Sequence, residues 1–144
     1  MRSPAAWRWR VRDSDPCPCG SGTDYDRCCG PLHRGEQTAP TAEALMRSRF
    51  SAYALGLADY LMSSWDRGTR PASLELDDTI TWRRLQIVDT EAGGPGDASG
   101  IVEFRAQYVA DGRRRILHER SRFRRGKDGA WRYVDGVFPS PDVG

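Results

Sequence analysis

The clearest hydrophobic pattern in the sequence is a stripe with helical spacing in its first half. Between Thr41 and Gly56, apolar residues recur every three or four positions, as on one face of an α-helix. Pro40 and Thr41 form a start signal, because a threonine side chain can accept a hydrogen bond from the first turn. Gly56 forms a stop signal. The pattern predicts a helix over 41–56.

Other positions of this predicted helix are polar. Arg47 and Arg49 are expected to point away from the apolar stripe, which is expected to face the core. A second, shorter helix is predicted over 58–65, with Trp65 available for packing at its end.

The second half of the chain changes from helical to alternating spacing. The alternation predicts four strands, over 79–90, 101–110, 115–125 and 130–137. Glycine-containing turns separate them, so consecutive strands are expected to pair antiparallel. Two helices followed by such a meander predict the α+β class.

One face of the predicted sheet carries mostly apolar side chains. This inner face is expected to pack on the helices or to line a cavity, because side chains alternate along a strand. Glu119 interrupts the apolar face between Leu117 and Phe123. The candidate cavity residues are Trp65, Trp82, Phe104, Glu119, Trp131 and Tyr133.

Glu119 allows two interpretations. Loss of hydration favours the protonated form of a carboxyl group, which would make Glu119 a candidate general acid or base. Alternatively, Glu119 is structural and paired with a buried arginine or with a tryptophan or tyrosine donor. The sequence contains no nucleophile–base pair and no paired-carboxylate motif, so nothing else in it indicates an enzyme.

The opposite face of the predicted sheet is rich in arginine. Glu103 is the only acidic residue expected among these positions. Such a surface could bind RNA, a ribosome or an acidic protein, or it could simply be solvated. The residues concerned are Arg105, Arg120, Arg122, Arg124 and Arg132.

The cysteines are confined to one short segment. All four lie between residues 17 and 29, with the spacing C-x-C-x8-C-C. Four thiolates on a short segment match the tetrahedral ligand set of a structural Zn²⁺. Thr23 is expected to cap a helical turn between the two pairs, and Gly30 and Pro31 are expected to end that turn.

The predicted zinc ligands are Cys17, Cys19, Cys28 and Cys29. Disulfides or free thiols are the alternatives, although a bridge between the adjacent Cys28 and Cys29 would be strained with Cα atoms only about 3.8 Å apart. Crossed bridges stay open. His33 is an alternative fourth ligand, since imidazole also binds zinc.

Several segments resemble known families. The C-P-C-G-S-G run at 17–22, with Tyr25 and the pair at 28–29, resembles the SEC-C zinc motif at the C-terminus of bacterial SecA proteins. Segments 30–33, 39–53 and 117–123 resemble the YchJ family of small bacterial proteins. This resemblance implies a SEC-C zinc knuckle followed by an NTF2-like cone of helices packed on a curved antiparallel sheet.

The resemblance also implies a domain organisation and a kind of partner. We expect a basic N-terminal arm at 1–15, a zinc-binding motif at 16–34 and an NTF2-like domain at 35–140. In SecA proteins the motif implies contacts with a chaperone, a ribosome or a membrane surface. A protein partner is therefore expected.

Composition and charge add limits to this picture. The formal net charge is +2, and Lys127 is the only lysine. No apolar run is long enough for a membrane span, and residues 1–16 lack the apolar core of a signal peptide, so we expect a cytoplasmic protein. Residues 7–12 alternate aromatic and basic side chains, which could contact nucleic acid, form an edge strand or remain untethered.

Three functions follow from the sequence. The first is a binding or adaptor protein with structural zinc. The second is an enzyme or small-molecule binder that uses the cavity around Glu119. The third is an RNA-associated or ribosome-associated protein that uses the arginine-rich sheet face.

Overall fold

The computed structural model describes residues 11–139. A 3₁₀ turn (Tyr25–Arg27) is followed by helices α1 (Cys29–His33), α2 (Ala42–Leu55) and α3 (Ala58–Ser63) and by strands β1 (Thr81–Ala92), β2 (Ser99–Ala110), β3 (Arg113–Arg125) and β4 (Trp131–Val137). Within 11–139, no helix has both the length and the apolar character needed to cross a membrane. The predicted aromatic and basic positions at 7–10 lie outside the described residues.

Helix α2 begins and ends where the sequence predicts. The Thr41 Oγ1 atom accepts a hydrogen bond from the Ala44 backbone N–H at 3.0 Å, which satisfies a donor that the helix itself leaves free. Gly56 ends the helix in the left-handed region, with a φ of 76°. The apolar stripe of α2 is buried against the sheet.

The four strands form one antiparallel sheet in the order β1-β2-β3-β4. Phe104 lies opposite Glu119, and Phe123 lies opposite Tyr133. The α+β prediction, with helices on one face of an antiparallel meander, is confirmed. The main core lies between α2 and the inner face of the sheet.

The turn between β1 and β2 fixes α2 on the sheet. The Ala42 backbone N–H donates to the Gly93 carbonyl at 2.9 Å. Gly100 packs against the backbone of Gly93 so closely that a Cβ atom on Gly100 would come within 2.8 Å of the Gly93 nitrogen. The glycines in this turn therefore permit the close approach that positions α2 above the cavity.

The predicted cap of the turn between the cysteine pairs is wrong. The 3₁₀ turn begins after Asp24, and no side chain caps it. Gly30 and Pro31 do not end a helix but lie inside α1. Proline is tolerated in the first turn of a helix, because its missing N–H has no intrahelical partner there.

Candidate functional site

The four cysteine sulfurs converge in the N-terminal knuckle, which comprises residues 16–34. All four Sγ atoms lie within 4.8 Å of one another. The distance is 3.5 Å between the sulfurs of Cys19 and Cys28 and 3.9 Å between those of Cys28 and Cys29. A tetrahedral zinc ion with Zn–S bonds of about 2.3 Å requires sulfurs about 3.8 Å apart. All four residues are free cysteines, so they fit Zn²⁺ in donor type, number and spacing.

The loop between the cysteine pairs holds the first pair in place. The Cys17 N–H donates to the Thr23 carbonyl at 2.9 Å, and the Gly20 N–H donates to the Cys17 carbonyl at 3.0 Å. Gly20 and Gly22 have φ values of 79° and 85°, which an L-residue adopts only with strain. The backbone thus folds back on itself and turns the sulfurs inward.

Hydrogen bonds among the thiols distribute their protons unevenly. The bond from Cys17 lowers the pKa of Cys19, so the Cys19 sulfur carries negative charge most readily. The same contact raises the pKa of Cys17 to about 12. Because zinc binds thiolates, a metal ion at this position would displace the remaining thiol protons.

His33 joins the knuckle to α2. Its Nε2 atom donates to the Ser48 carbonyl at 2.8 Å, which leaves Nδ1 to accept from the Tyr25 hydroxyl at 2.7 Å. Burial lowers the pKa of His33, so the ring is neutral. Both ring nitrogens are already hydrogen-bonded, and His33 lies outside the sulfur cluster. The group of converging metal-ligand atoms therefore comprises the four cysteines and does not include His33.

A second candidate site is a cavity of about 280 Å³ between α2 and the inner sheet face. Most of its wall is aromatic or aliphatic, and several wall residues are only half-buried, so the cavity is reachable from solvent. Of the cavity residues expected from the sequence, those in the wall are Trp65, Trp82, Phe104, Glu119 and Tyr133.

Trp131 does not line this cavity, contrary to the expectation. It is 2% exposed and belongs to the main core, and its Nε1 atom donates to the Pro40 carbonyl at 3.4 Å. Trp131 lies opposite Arg125, two positions beyond the Tyr133–Phe123 pair. That displacement along the strand moves the indole from the cavity to the start of α2.

The Glu119 carboxylate is held by two hydroxyl groups. Its Oε2 atom accepts from Ser121 Oγ at 2.6 Å and from the Tyr133 hydroxyl at 3.0 Å. The Gly136 backbone packs directly on this carboxylate, and a Cβ atom at Gly136 would overlap it. Burial and the Glu119 charge raise the pKa of Tyr133, so the phenol remains a donor. The Oε1 atom has no hydrogen-bond partner among residues 11–139.

Arg49 is a charged residue of the cavity wall that the sequence did not predict. It is 3% exposed, and its Nη1 atom donates to the Leu61 carbonyl at 2.8 Å and to Ser64 Oγ at 2.6 Å. Its guanidinium lies 4.9 Å from the ring centre of Trp65 and 4.7 Å from that of Tyr133. Burial lowers the pKa of Arg49.

A signal for this position was present in the sequence. Arg49 follows Leu45 by four residues and precedes Tyr53 by four, so it lies on the apolar stripe and not beside it. The prediction that Arg49 points away from the core is wrong, because the aromatic rings and two oxygen acceptors accommodate the guanidinium inside.

The arginine-rich face carries more acidic residues than the sequence suggested. Arg120 pairs with Asp89 at 3.0 Å and with Glu103 at 2.9 Å, and a third carboxylate, Glu91, lies 3.0 Å from it. These acids meet Arg120 because β1 places Asp89 opposite Glu103 in the sheet. Glu103 also contacts His118 at 2.8 Å.

Three of the remaining arginines of this face also lie close to a carboxylate. Arg122 pairs with Asp135 at 2.6 Å, Arg132 pairs with Asp128 at 2.7 Å, and Arg124 lies 3.8 Å from Asp66. Arg105 is exposed and has no ion pair among the described residues. The expectation that Glu103 alone offsets the arginines is therefore wrong, because Arg120, Arg122, Arg124 and Arg132 each lie within 4.0 Å of at least one other carboxylate.

A four-cysteine knuckle joined to an α+β domain with an open cavity defines a two-part protein, with a SEC-C motif followed by an NTF2-like domain. Residues 14–31 match the SEC-C motif, and residues 41–136 match the family described as YchJ, middle NTF2-like domain. The chain belongs to the YchJ family, whose members are also called UPF0225 proteins.

Curated relatives support this assignment over most of the chain. The chain is 53% identical over 118 residues to UPF0225 protein CE1570 from Corynebacterium efficiens, covering 81% of this chain and 88% of the relative. It is 52% identical over 114 residues to UPF0225 protein SCO1677 from Streptomyces coelicolor, covering 79% and 88%.

Two solved structures have the same fold. The solution structure of RPA3114, a SEC-C motif containing protein from Rhodopseudomonas palustris, gives a TM-score of 0.77 at 34% identity. It covers 88% of this chain and 100% of that one. The crystal structure of a SEC-C motif containing protein from Psychrobacter arcticus gives a TM-score of 0.72 at 24% identity, covering 92% and 85%, and supports the fold alone.

Proposed function

We propose that this protein binds a small aromatic molecule in the cavity beside α2, and that a structural Zn²⁺ holds the knuckle against the same helix. The observation that carries the proposal is the solvent-reachable aromatic cavity with two inward charged groups, Arg49 and Glu119. An apolar pocket with a few convergent polar groups is the usual form of a ligand site.

The zinc part of the proposal rests on the closed ligand set. Four thiolates fill a tetrahedral zinc ion and leave no position for water or substrate. We therefore assign the ion a structural role in the knuckle. Cys17, Cys19, Cys28 and Cys29 would hold it.

Helix α2 would connect the zinc centre to the cavity. On its knuckle side, the Arg47 Nη1 atom donates to the Cys19 carbonyl at 3.1 Å, and the Ser48 carbonyl accepts from His33. On its cavity side, the next residues, Arg49 and Phe50, line the wall. A folded knuckle would therefore keep α2 in the orientation that shapes the cavity.

Glu119 enters this proposal as a binding group and not as a general acid or base. Ser121 and Tyr133 both donate to its carboxylate, which keeps it in place as a hydrogen-bond acceptor. Its second oxygen is free to bind a donor on a ligand.

Phenol provides a direct test of the cavity, because it is small, aromatic and neutral. We expect phenol to cause saturable amide shifts around the cavity in NMR titrations of the zinc-loaded, full-length protein. Leu117→Trp fills the cavity from β3 and should abolish these shifts. Ile116→Trp adds the same side chain at the neighbouring position, which is 60% exposed, and should leave them unchanged. Shifts that do not saturate, or that persist equally in Leu117→Trp, would exclude the cavity as the binding site of phenol.

A second candidate function is the adaptor role expected from the sequence. It is favoured by the exposed knuckle loop at 20–24, where Gly20 and Gly22 have open space in front of their Cα atoms. With zinc enclosed, this loop would be the surface on which a protein partner could dock.

The adaptor role predicts that one exposed loop side chain controls partner binding. Thr23→Arg should remove a partner that co-purifies with the wild-type protein, without loss of zinc. Glu75→Arg changes an exposed residue elsewhere and should retain the partner. Equal recovery with both variants, or no stoichiometric partner with the wild-type protein, would exclude docking through the loop.

A further inference from the structure

We propose that the cavity selects electrically neutral aromatic molecules with an amide-like edge, in which a carbonyl oxygen binds Arg49 and an adjacent N–H binds Glu119. Carboxamides and the lactam edges of small heterocycles belong to this class. The inference rests on the ligand-binding function proposed above and specifies its chemistry.

A hydrogen-bond acceptor on the ligand would stabilise Arg49. A guanidinium has five N–H donors. Among the described residues, Arg49 donates to the Leu61 carbonyl and to Ser64 Oγ, and both hydrogen bonds come from Nη1. No carboxylate of the described residues lies within 4.0 Å of it. A buried cation without a paired anion is costly, and a ligand carbonyl oxygen would offset part of that cost.

Glu119 can accept a hydrogen bond from a donor on the ligand. Both of its hydrogen bonds fall on Oε2, and an ionised carboxylate accepts but does not donate. The free Oε1 atom can therefore accept from an N–H group of a bound molecule. Gly136 permits this arrangement, because any larger residue there would displace the carboxylate.

The charge balance of the wall favours a neutral ligand. Arg49 and Glu119 are the charged groups that line the cavity within residues 11–139, and their formal charges cancel. An anion would gain from Arg49 but would be repelled by Glu119, and the reverse holds for a cation. Burial raises the pKa of Tyr53 and of Tyr133, so neither adds a negative charge at neutral pH.

The wall also favours a flat ring. Trp82 lies 6.1 Å from Phe50 and 5.9 Å from Tyr53, measured between ring centres, and Trp65 lies 5.2 Å from Tyr133. Aromatic walls of this kind stack on planar molecules. The volume of about 280 Å³ is at the small end of ligand sites, which favours one ring with one polar substituent.

Four probes of nearly equal shape separate these contributions. Benzamide offers both an acceptor and a donor, benzoate only an acceptor with negative charge, benzamidinium only donors with positive charge, and toluene neither. We expect benzamide to bind at least about tenfold more tightly than toluene, because hydrogen bonds to charged groups are the strong ones. Benzoate and benzamidinium should bind more weakly than benzamide. Dissociation constants come from NMR titration of the full-length, zinc-loaded protein.

Glu119→Gln should reverse the preference. It removes the negative charge but keeps the shape, so benzoate affinity should rise about tenfold while benzamide affinity falls. Zinc content and melting temperature check that the variant is folded. Gly136→Ala is a second variant, in which the displaced carboxylate should weaken benzamide binding and leave toluene binding unchanged.

The outcomes distinguish the two proposals. If none of the four probes binds, the ligand-binding function itself fails. If toluene, benzoate or benzamidinium binds as tightly as benzamide, or if Glu119→Gln leaves the order unchanged, the cavity is a ligand site but the selection of a neutral amide edge is wrong.

Discussion

Replacing Cys19 by serine is expected to abolish stoichiometric zinc binding and to unfold the knuckle. The Cys19 side chain is fully buried and its sulfur lies 3.5 Å from that of Cys28. A serine hydroxyl stays protonated and cannot replace a thiolate on zinc. Structural zinc contributes on the order of 10 kcal/mol to folding in small zinc domains. Zinc content by atomic emission and amide exchange of residues 16–34 provide the measurements.

His33→Gln is the matched control for this prediction. It should retain one zinc per chain but lower the free energy of unfolding by about 1–3 kcal/mol, because Tyr25 and Ser48 lose a buried partner. A Cys19→Ser protein that keeps its zinc, or a His33→Gln protein that loses it, would contradict the four-cysteine ligand set.

Replacing Trp131 by alanine is expected to lower the free energy of unfolding by about 3–5 kcal/mol. The indole is 2% exposed, donates to the Pro40 carbonyl and lies under the Arg125 guanidinium at 4.6 Å. Its removal leaves a void in the core where α2 starts. Denaturant unfolding followed by circular dichroism measures the loss.

Comparing Trp82→Ala with Trp131→Ala distinguishes a residue of the cavity wall from a residue of the core. Trp82 is only half-buried and lines the cavity, so its removal should cost less stability but should weaken phenol binding. A larger loss of stability in Trp82→Ala than in Trp131→Ala would contradict the assignment of Trp131 to the core.

The local signals in the sequence predicted the elements well. Thr41 and Gly56 marked the ends of α2 because caps act through hydrogen bonds and backbone angles of single residues. The change from helical to alternating spacing located the four strands because successive side chains of a strand point to opposite faces of the sheet. The four cysteines were recognisable because their spacing is short enough to bring the sulfurs together without any knowledge of the fold.

Long-range pairing was the part that the sequence did not reveal. Asp89 and Asp135 offset Arg120 and Arg122 only because the strand register brings them together across the sheet. Trp131 was expected in the cavity because alternation gives its face but not its position along the strand. Arg49 was missed because charge alone suggested an exposed side chain, whereas the aromatic rings around it come from two distant parts of the chain, Trp65 just after α3 and Tyr133 in β4.

The most direct test of the ligand cavity is a crystal structure of the full-length, zinc-loaded protein soaked with phenol. We predict phenol between α2 and the inner sheet face, in contact with Trp82 and within hydrogen-bond distance of Glu119 or Arg49. A cavity without phenol at saturating concentration, or phenol bound only on the outer surface, would contradict the account.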